Sequence, residues 1–159
     1  MAVSVRRLGP GDEELLAAIA GEADDFDLPG ASAPEEPLGH AEAVAYLTDP
    51  AVLHWVAEED EHLVGELLCH VLPLPSGVGR ELLLYSIGVR SAHRRHGVGT
   101  ALMREMLGWA RREGVEVVWV VADNAGAEAF YAACGFESGD EGRHAVYLQR
   151  RVVRESIGP

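Results

Sequence analysis

The sequence predicts a mixed α/β domain around a central, partly antiparallel sheet. Hydrophobic periodicity changes along the chain in the order strand, two helices, three strands, helix, strand, helix, strand. With 159 residues and 48% hydrophobic composition, the chain can bury one sizeable core but is too short to divide comfortably into two. We therefore expect a single domain over residues 1–159.

Each predicted element follows from a local signal. Val98, Leu102 and Met106 recur at helical spacing, whereas residues 115–122 form a nearly continuous apolar run, typical of a strand buried on both faces. Asp12 is a candidate cap for the first helix. The predicted strands span residues 3–8, 52–57, 62–71, 81–89, 115–122 and 144–153, and the later helices span 41–47, 97–112 and 125–134.

Two acidic segments connect these elements. Residues 24–39 lose periodicity and contain three prolines, and so long a loop in a small domain favours a functional role. Residues 58–61, with the sequence Glu-Glu-Asp-Glu, predict the turn of a hairpin.

The composition argues against several classes of protein. A net charge of −13 disfavours nucleic-acid binding, because phosphate backbones need a basic face. Cys69 and Cys134 have no metal-ligand spacing, so we expect neither a disulfide framework nor a metal site. The sequence shows no leader-like segment and no apolar run near the ~20 residues that span a bilayer, which favours a cytoplasmic protein without membrane contact.

The charges are unevenly distributed. The chain has no lysine, and no arginine lies between Leu8 and Gly79, although that stretch carries more than half of the acidic residues. The second half could therefore bind an anionic cofactor while the first half attracts a cationic substrate. The alternative is that the acidic surface serves solubility alone.

A turn before the helix at 97–112 has the features of an anion site. The first-turn amides of a helix lack intrahelical acceptors, and Gly97 and Gly99 would let a phosphate approach them. Arg90, Arg94 and Arg95 place cations nearby. A plain tight turn would also explain the two glycines. The sequence contains neither a P-loop nor a dinucleotide-binding fingerprint.

Two motifs resemble the GNAT superfamily of N-acetyltransferases. Residues 89–102, VRSAHRRHGVGTAL, are similar to its acetyl-coenzyme A signature, and residues 124–136, NAGAEAFYAACGF, match its N-x-x-A-x-x-x-Y-x-x-x-G-F block. Because both occur in the expected order, the pair is more specific than either motif. The resemblance covers residues 52–153 well and implies the GNAT fold, with a mostly antiparallel sheet that splays between the strands ending near Val89 and Ala122.

The resemblance also implies acetyl-coenzyme A as co-substrate, no metal, and a homodimer. Backbone amides of the glycine turn would hold the pyrophosphate, and the backbone of Ile87 and Val89 would pair with the pantetheine arm. Tyr131 would place its hydroxyl near the thioester sulfur. The cofactor-binding residues implied in this way are Ile87, Gly88, Val89, Arg94, Arg95, His96, Gly97, Val98, Gly99, Thr100, Asn124, Ala127, Phe130 and Tyr131.

Acetyl transfer to an amine needs a neutral amine and a protonated leaving thiolate. Tyr131 is the expected acid, whereas the base stays open. Many relatives carry a carboxylate where this chain has Tyr85 or Ser86. Strand alternation puts Glu81 on the face of Tyr85 and Ile87, roughly 13 Å along the strand from Tyr85, so Glu81 is a candidate through a water chain. The alternatives are His40, His54, His70 and solvent.

Within the superfamily, the sequence most resembles the aminoglycoside 3-N-acetyltransferase type, through Glu81 ahead of Tyr85 and His93-Arg94-Arg95 before the glycines. This likeness implies a small polyamine or aminoglycoside held by carboxylates. Ser86, where those enzymes carry aspartate, and a basic last strand depart from the pattern. The expected acceptor-binding residues are Asp24, Asp25, Asp27, Glu35, Glu36 and Tyr85.

Two other functions stay open. The protein could acetylate a protein N-terminus, a lysine side chain or an amine metabolite. It could also be a non-catalytic module that binds acetyl-coenzyme A as a sensor or partner domain. Turnover separates the second alternative from the enzymes, and a panel of acceptors separates the enzymes from each other.

Overall fold

The computed structural model describes residues 2–26, 34–76 and 79–138. The order of elements matches the prediction through the last helix. The predicted strand at 144–153 lies outside the described residues. The elements are β1 (Ser4–Arg7), α1 (Glu13–Gly21), α2 (His40–Thr48), β2 (Val52–Glu59), β3 (His62–Leu72), β4 (Arg80–Val89), a 3-10 turn (Ser91–His93), α3 (Val98–Arg112), β5 (Val115–Trp119) and α4 (Ala125–Ala133).

The five strands form one sheet in the order β1-β2-β3-β4-β5. The first four strands pair antiparallel, and β4 pairs with β5 in parallel. That parallel ladder ends at Leu83 and Trp119, while β4 continues to Val89. The sheet is therefore mostly antiparallel and opens between β4 and β5, as expected. The strand predicted over 115–122 ends early, at Trp119, because β5 has lost its hydrogen-bonding partner there.

The hairpin between β2 and β3 has a tighter turn than the sequence predicts. Asp60 and Glu61 both have positive φ, 49° and 64°. Positive φ at both central positions matches the twist of the flanking strands in a two-residue hairpin. Glu58 and Glu59 consequently belong to β2 and not to the turn.

A bulge in β4 changes which side chains share a face. Leu68 pairs with Ser86 and Cys69 with Leu84, so Tyr85 has no partner in the ladder. The extra residue shifts the alternation by one position. The expectation that Glu81, Tyr85 and Ile87 share a face was therefore wrong for Ile87, which packs into the same cluster as Leu84.

Two hydrophobic clusters cover the two faces of the sheet. The larger cluster lies under α3, where Leu102, Met103 and Met106 pack against Leu53, Trp55 and other strand residues. The smaller cluster lies under α1 and α2, and its buried members are Leu8, Ile19, Phe26, Val56 and Leu63. In the described ranges, no helix is long and apolar enough to cross a membrane.

Gly65 in β3 lets α3 approach the sheet closely. A Cβ at this position would lie 2.8 Å from Val98 Cγ1, 3.1 Å from Leu102 Cδ1 and 3.2 Å from the carbonyl oxygen of Gly88. Real Cβ atoms do not approach carbon atoms this closely, because packed interiors leave no such space. Gly65 thus sets the height at which the first turn of α3 sits above the sheet.

We expect Gly65→Ala to lower the free energy of unfolding by about 1–3 kcal/mol, the usual cost of overpacking a core. Gly9→Ala is a matched control, because a Cβ at Gly9 meets nothing within 4 Å. Its effect should stay within about 0.5 kcal/mol. Denaturant unfolding of the two variants measures both values, and an equal loss in both would contradict the close-approach argument.

Candidate functional site

The glycine turn presents backbone amides, those of residues 98–100, that have no acceptor among the residues that the structure describes. Arg95 has φ = 65° and Gly97, the N-cap of α3, has φ = 83°. The first intrahelical hydrogen bond runs from the amide of Ala101 to the carbonyl of Gly97, 2.9 Å away. The amides of residues 98–100 precede it, and glycine has no side chain with which to cap them. Such a helix start favours an anion.

The two glycines of the turn do different work. Gly97 adopts the left-handed conformation that favours glycine, and a Cβ there would meet nothing within 4 Å. Gly99 has no unusual φ, but a Cβ there would lie 3.2 Å from the Cζ atom of Phe130. Gly97 shapes the turn, while Gly99 allows α4 to pack against the first turn of α3.

Two of the three arginines near the turn are engaged in internal contacts. Arg90 pairs with Glu22 and Asp25, donates to the carbonyl of Leu63, and stacks over the ring of Phe26 at 4.8 Å. Its role is to tie the end of β4 to the segment after α1. Arg90 is therefore not available to bind an anionic ligand, contrary to the expectation from the sequence.

Arg94 also makes internal hydrogen bonds. Its Nε donates to the carbonyl of Val89 at 3.0 Å, and its Nη2 donates to the carbonyl of Asp25 at 3.2 Å. The carbonyl of Val89, one of the groups expected to face a pantetheine arm, thus already accepts a hydrogen bond. Arg95 is exposed and has no ion pair within the described part of the chain.

Asp25 links the loop after α1 to the glycine turn. Its carboxylate accepts from the hydroxyl of Ser91 at 2.6 Å, from the amide of Ser91 at 3.3 Å and from Arg90 at 3.1 Å. The hydrogen bond from the Ser91 hydroxyl, followed by the Ser91 amide and Arg90, holds the pKa of Asp25 below its usual 3.8. We call Asp25 and its partners Arg90, Ser91 and Arg94 the Asp25 clasp.

The other expected acceptor-binding residues are not members of the clasp. Asp24 and Glu36 are exposed, and the amide of Glu35 donates to the carbonyl of Ala20 at 2.8 Å. Asp27 lies outside the described residues. Tyr85 is 61% exposed beside the opening, and its ring meets the ring of His70 edge-on at 5.6 Å.

Helix α4 brings the second motif to the glycine turn. Asn124 is its N-cap, and the side-chain oxygen of Asn124 accepts from the amide of Ala127 at 2.8 Å. Phe130 packs on Gly99, and Tyr131 packs with Ile87 and Val89 against the cluster under α3. The two motifs therefore meet where β4 and β5 separate.

The environment of Tyr131 keeps its hydroxyl protonated. The side chain is half-buried, with the ring of Phe136 at 5.7 Å. Burial raises the pKa of Tyr131, and the nearby ionisable groups raise it further; they are Asp123, Cys134, Cys69 and Glu66. A protonated phenol in this position can donate a proton to a leaving group.

The candidate bases occupy different positions. Glu81 pairs with Leu72 on one side and Val117 on the other, within the closed part of the sheet. His40 is exposed at the start of α2, and the ring of His70 meets the ring of Tyr85 edge-on. His54 is buried and holds two hydrogen bonds, one to Tyr46 and one to Glu66.

Sequence reasoning missed Glu66. This carboxylate is 1% exposed in the middle of β3, and its Oε2 lies 2.9 Å from Nε2 of His54. The signal was present, because Glu66 is the one charged residue within the otherwise apolar segment 63–69. Its partner could not be read from the sequence, since the pair depends on the register of β2 against β3.

Chemically, the opening between β4 and β5 offers an anion-binding helix start, an edge strand and a phenol. Among residues 2–26, 34–76 and 79–138, no group of three or more His, Cys, Asp or Glu side chains could hold a metal ion. These parts suit an acyl donor that carries phosphate.

Comparison with protein families gives a match over most of the chain. Residues 18–136 match the acetyltransferase (GNAT) family. Human N-acetyltransferase 8 is 33% identical over 109 residues, which are 66% of this chain and 47% of that protein. Rat N-acetyltransferase 8B is 33% identical over 95 residues, which are 58% of this chain and 43% of that protein. The chain thus spans about half the length of these relatives.

Solved structures with the same fold cover nearly the whole chain. An aminoglycoside acetyltransferase from an uncultured soil metagenomic sample is 25% identical, with a TM-score of 0.80 over 96% of this chain and 100% of that one. A second such enzyme, solved with sisomicin, is 21% identical, with a TM-score of 0.73 over 93% and 97%. The second likeness shows the fold alone.

The Asp25 clasp should make stability depend on pH. Because the folded-state pKa of Asp25 is lowered, its stabilisation is present above the unfolded pKa near 3.8 and is lost as pH falls through the folded value. We expect the difference in unfolding free energy between the unsubstituted protein and Asp25→Asn to shrink below about pH 4. Urea unfolding from pH 7 to pH 3 measures it.

Asp24→Asn removes the same charge next to the clasp and is the matched control, because Asp24 makes no side-chain hydrogen bond within the described ranges. A difference for Asp25→Asn that is no larger than the control's at pH 7, or that does not change with pH, would contradict the role of the clasp.

Proposed function

Because the chain belongs to the GNAT family of acetyltransferases, we propose that it transfers the acetyl group of acetyl-coenzyme A to a primary amine of a small cationic acceptor, such as an aminoglycoside or a polyamine. The observation that carries the donor half of this proposal is the opening between β4 and β5. It starts beyond Leu83 and Trp119 and lies beside the uncapped first turn of α3.

The proposed pyrophosphate site consists of the amides of residues 98–100 together with Arg95 and His96 in the preceding turn. A diphosphate would accept hydrogen bonds from these amides, and the dipole of α3 would favour its charge. The pantetheine arm would follow the edge of β4 from Ile87 to Val89, which β5 has left free. Asn124 and Ala127 shape the far side as the cap of α4.

Tyr131 is the proposed proton donor. When the amine has attacked the acetyl carbonyl, the departing thiolate sulfur needs a proton. The raised pKa of Tyr131 means that its hydroxyl carries a proton at neutral pH. Tyr131 packs against the same cluster as Ile87 and Val89, and the neighbouring Phe130 packs on Gly99, which supports a hydroxyl directed at a thioester held on the edge of β4.

The proposed class of acceptor rests on the exposed acids of one face and on the similarity to a solved acetyltransferase. Within residues 2–26, 34–76 and 79–138, the α1 and α2 side of the sheet carries exposed acids, including Asp24, Glu36 and Glu42. Such a surface attracts a polycation. The aminoglycoside acetyltransferase with a TM-score of 0.80 supports the same class of acceptor. Ser86 in place of an aspartate means that any base must come from elsewhere.

Arg95→Ala should weaken the binding of acetyl-coenzyme A by about 10-fold, because one charge-assisted hydrogen bond is worth about 1.5–3 kcal/mol. The loss should be smaller at high salt, since the guanidinium is exposed. Titration calorimetry measures the dissociation constant. Arg104→Ala, which removes an exposed arginine from the body of α3, should leave it unchanged. Equal effects of both variants would remove Arg95 from the site.

The acceptor is identified by release of free coenzyme A thiol from acetyl-coenzyme A, with aminoglycosides, polyamines, peptides and amino acids offered in parallel. We expect turnover with aminoglycosides or polyamines. Turnover only with a peptide or a metabolite would keep the acetyltransferase and replace the acceptor. Binding of acetyl-coenzyme A without turnover on any amine would support the non-catalytic module instead.

Tyr131→Phe should lower kcat by about 10²-fold or more while acetyl-coenzyme A still binds.

A further inference from the structure

Four polar side chains form a buried chain across three strands. The hydroxyl of Tyr46 in α2 lies 3.0 Å from Nδ1 of His54 in β2, and Nε2 of His54 lies 2.9 Å from Oε2 of Glu66 in β3. The hydroxyl of Ser86 in β4 donates to the same oxygen at 3.4 Å. We call this set the Glu66 chain. It crosses the sheet from α2 to the strand that borders the opening.

The hydrogen bonds fit one tautomer of a neutral imidazole at His54. Burial, and then the charge of Glu66, raises the pKa of the Tyr46 phenol, so that hydroxyl is protonated and donates to Nδ1 of His54. Nε2 of His54 then carries the ring proton and donates to Glu66. The hydrogen bond from Tyr46 to Nδ1 thus orients the ring so that Nε2 of His54 points at the carboxylate.

Burial of the Glu66 carboxylate costs the fold free energy. His54 and Ser86 are 5% and 6% exposed, so the carboxylate, itself 1% exposed, has no access to bulk water. Its second oxygen, Oε1, is buried without a hydrogen-bond partner among the residues that the structure describes. Apolar side chains of similar shape usually stabilise a core at least as well as a buried ionic pair. A buried acceptor atom with unused capacity therefore calls for a functional explanation.

The Glu66 chain ends at the wall of the opening. Glu66 pairs across the ladder with Gly88, and Ser86 directly follows the bulge at Tyr85. Both β4 residues lie beyond Leu83, the last residue of β4 that pairs with β5. Glu66 also contributes to the raised pKa of Tyr131, so its charge is felt at the proposed proton donor.

We propose that Glu66, oriented by His54, accepts the proton of the acceptor ammonium through the hydroxyl of Ser86. This inference rests on the proposed function and supplies a carboxylate in place of the one that Tyr85 and Ser86 do not provide. Glu66 does not touch the acceptor, so it is a positioning residue and proton acceptor behind Ser86. Glu66 is not among the candidate bases considered from the sequence, whereas Ser86 occupies a position where many relatives carry a carboxylate.

The proton transfers balance without a further reactant. One N–H bond of the ammonium breaks, its proton passes to Oγ of Ser86, and the hydroxyl proton of Ser86 passes to Glu66. The amine, now neutral, attacks the acetyl carbonyl, and the carbon–sulfur bond breaks. Tyr131 protonates the sulfur and regains a proton from the nitrogen that has become the amide. The proton left on Glu66 leaves to solvent after product release, which restores the starting state.

Several groups interact with Glu66 and bear on the pH profile. Tyr46, His54 and Ser86 belong to the hydrogen-bonded chain, whereas Cys69 and Tyr131 pack with the cluster under α3 and are affected by the charge of Glu66. Burial, followed by the charge of Glu66, raises the pKa of the Cys69 thiol, so Cys69 stays neutral near pH 7. Tyr46 and Tyr131 are likewise neutral there.

The test is the pH dependence of kcat/KM, from pH 5.5 to 9.5, with the best acceptor of the amine panel. We expect Glu66→Gln to lower kcat/KM by about 10²-fold or more near neutral pH. The difference in kcat/KM between Glu66→Gln and the unsubstituted protein should become smaller as pH rises, because more of the acceptor is then already neutral in solution. Ser86→Ala should lose activity in the same pH-dependent way. Glu66→Asp, which keeps the carboxylate, should recover part of the rate.

Glu58→Gln is the matched control, because it removes one carboxylate from the same sheet at an exposed ion pair with Arg6. Its profile should follow that of the unsubstituted protein. Binding of acetyl-coenzyme A and the melting temperature, measured for every variant, identify any that fail to fold. If Glu66→Gln does not fold, Ser86→Ala and Glu66→Asp decide the result.

Two outcomes overturn the inference. A loss of rate in Glu66→Gln and Ser86→Ala that is constant at every pH, or no loss at all, overturns the role of the Glu66 chain and leaves the acetyltransferase standing. Absence of turnover by the unsubstituted protein with every amine overturns the proposed function, and this inference with it.

Discussion

The separation of two parallel strands governs the rest of the structure. Beyond Leu83 and Trp119, β4 has lost its neighbour, so its backbone groups form an edge inside the molecule. An unpaired edge needs a partner, and an extended ligand can supply one. The gap also places the start of α3 and the body of α4 next to each other, because Phe130 can pack on Gly99 only where no strand intervenes. The proposed anion site and the proposed proton donor, Tyr131, both depend on this opening.

Close packing at one glycine sets the position of the anion site. Gly65 allows Val98 and Leu102 to sit directly on the sheet, and a Cβ there would displace the first turn of α3. The Asp25 clasp holds the residues before α3, from Arg90 to Arg94, against the loop after α1. Of the arginines that the sequence suggested as ligand cations, Arg90 instead pairs with Glu22 and Asp25, and Arg94 donates to backbone carbonyls of Val89 and Asp25. Much of the basic charge near the turn is thus structural, and Arg95 is left for a ligand.

The sequence predicted what depends on local signals. Helical spacing from Val98 onward and the glycines of the turn were enough for the order of elements as far as α4, and the resemblance carried by the block around Tyr131 implied that the two motifs meet. It could not predict the bulge at Tyr85, because a register shift depends on the neighbouring strand. For the same reason it missed the pair of His54 and Glu66, whose members are twelve positions apart and meet only across β2 and β3.

The bulge in β4 accounts for the hydrogen bond between Ser86 and the buried carboxylate of Glu66. A regular β4 would place consecutive side chains on opposite faces, so Tyr85 and Ser86 could not both face the α1 and α2 side. The extra residue at Tyr85 allows Tyr85 to reach His70 while Ser86 reaches Glu66. One register shift therefore directs an exposed aromatic ring toward the acceptor side and a hydroxyl toward a buried charge. A strand without the bulge could do only one of these, and Glu66 would then be isolated from the opening.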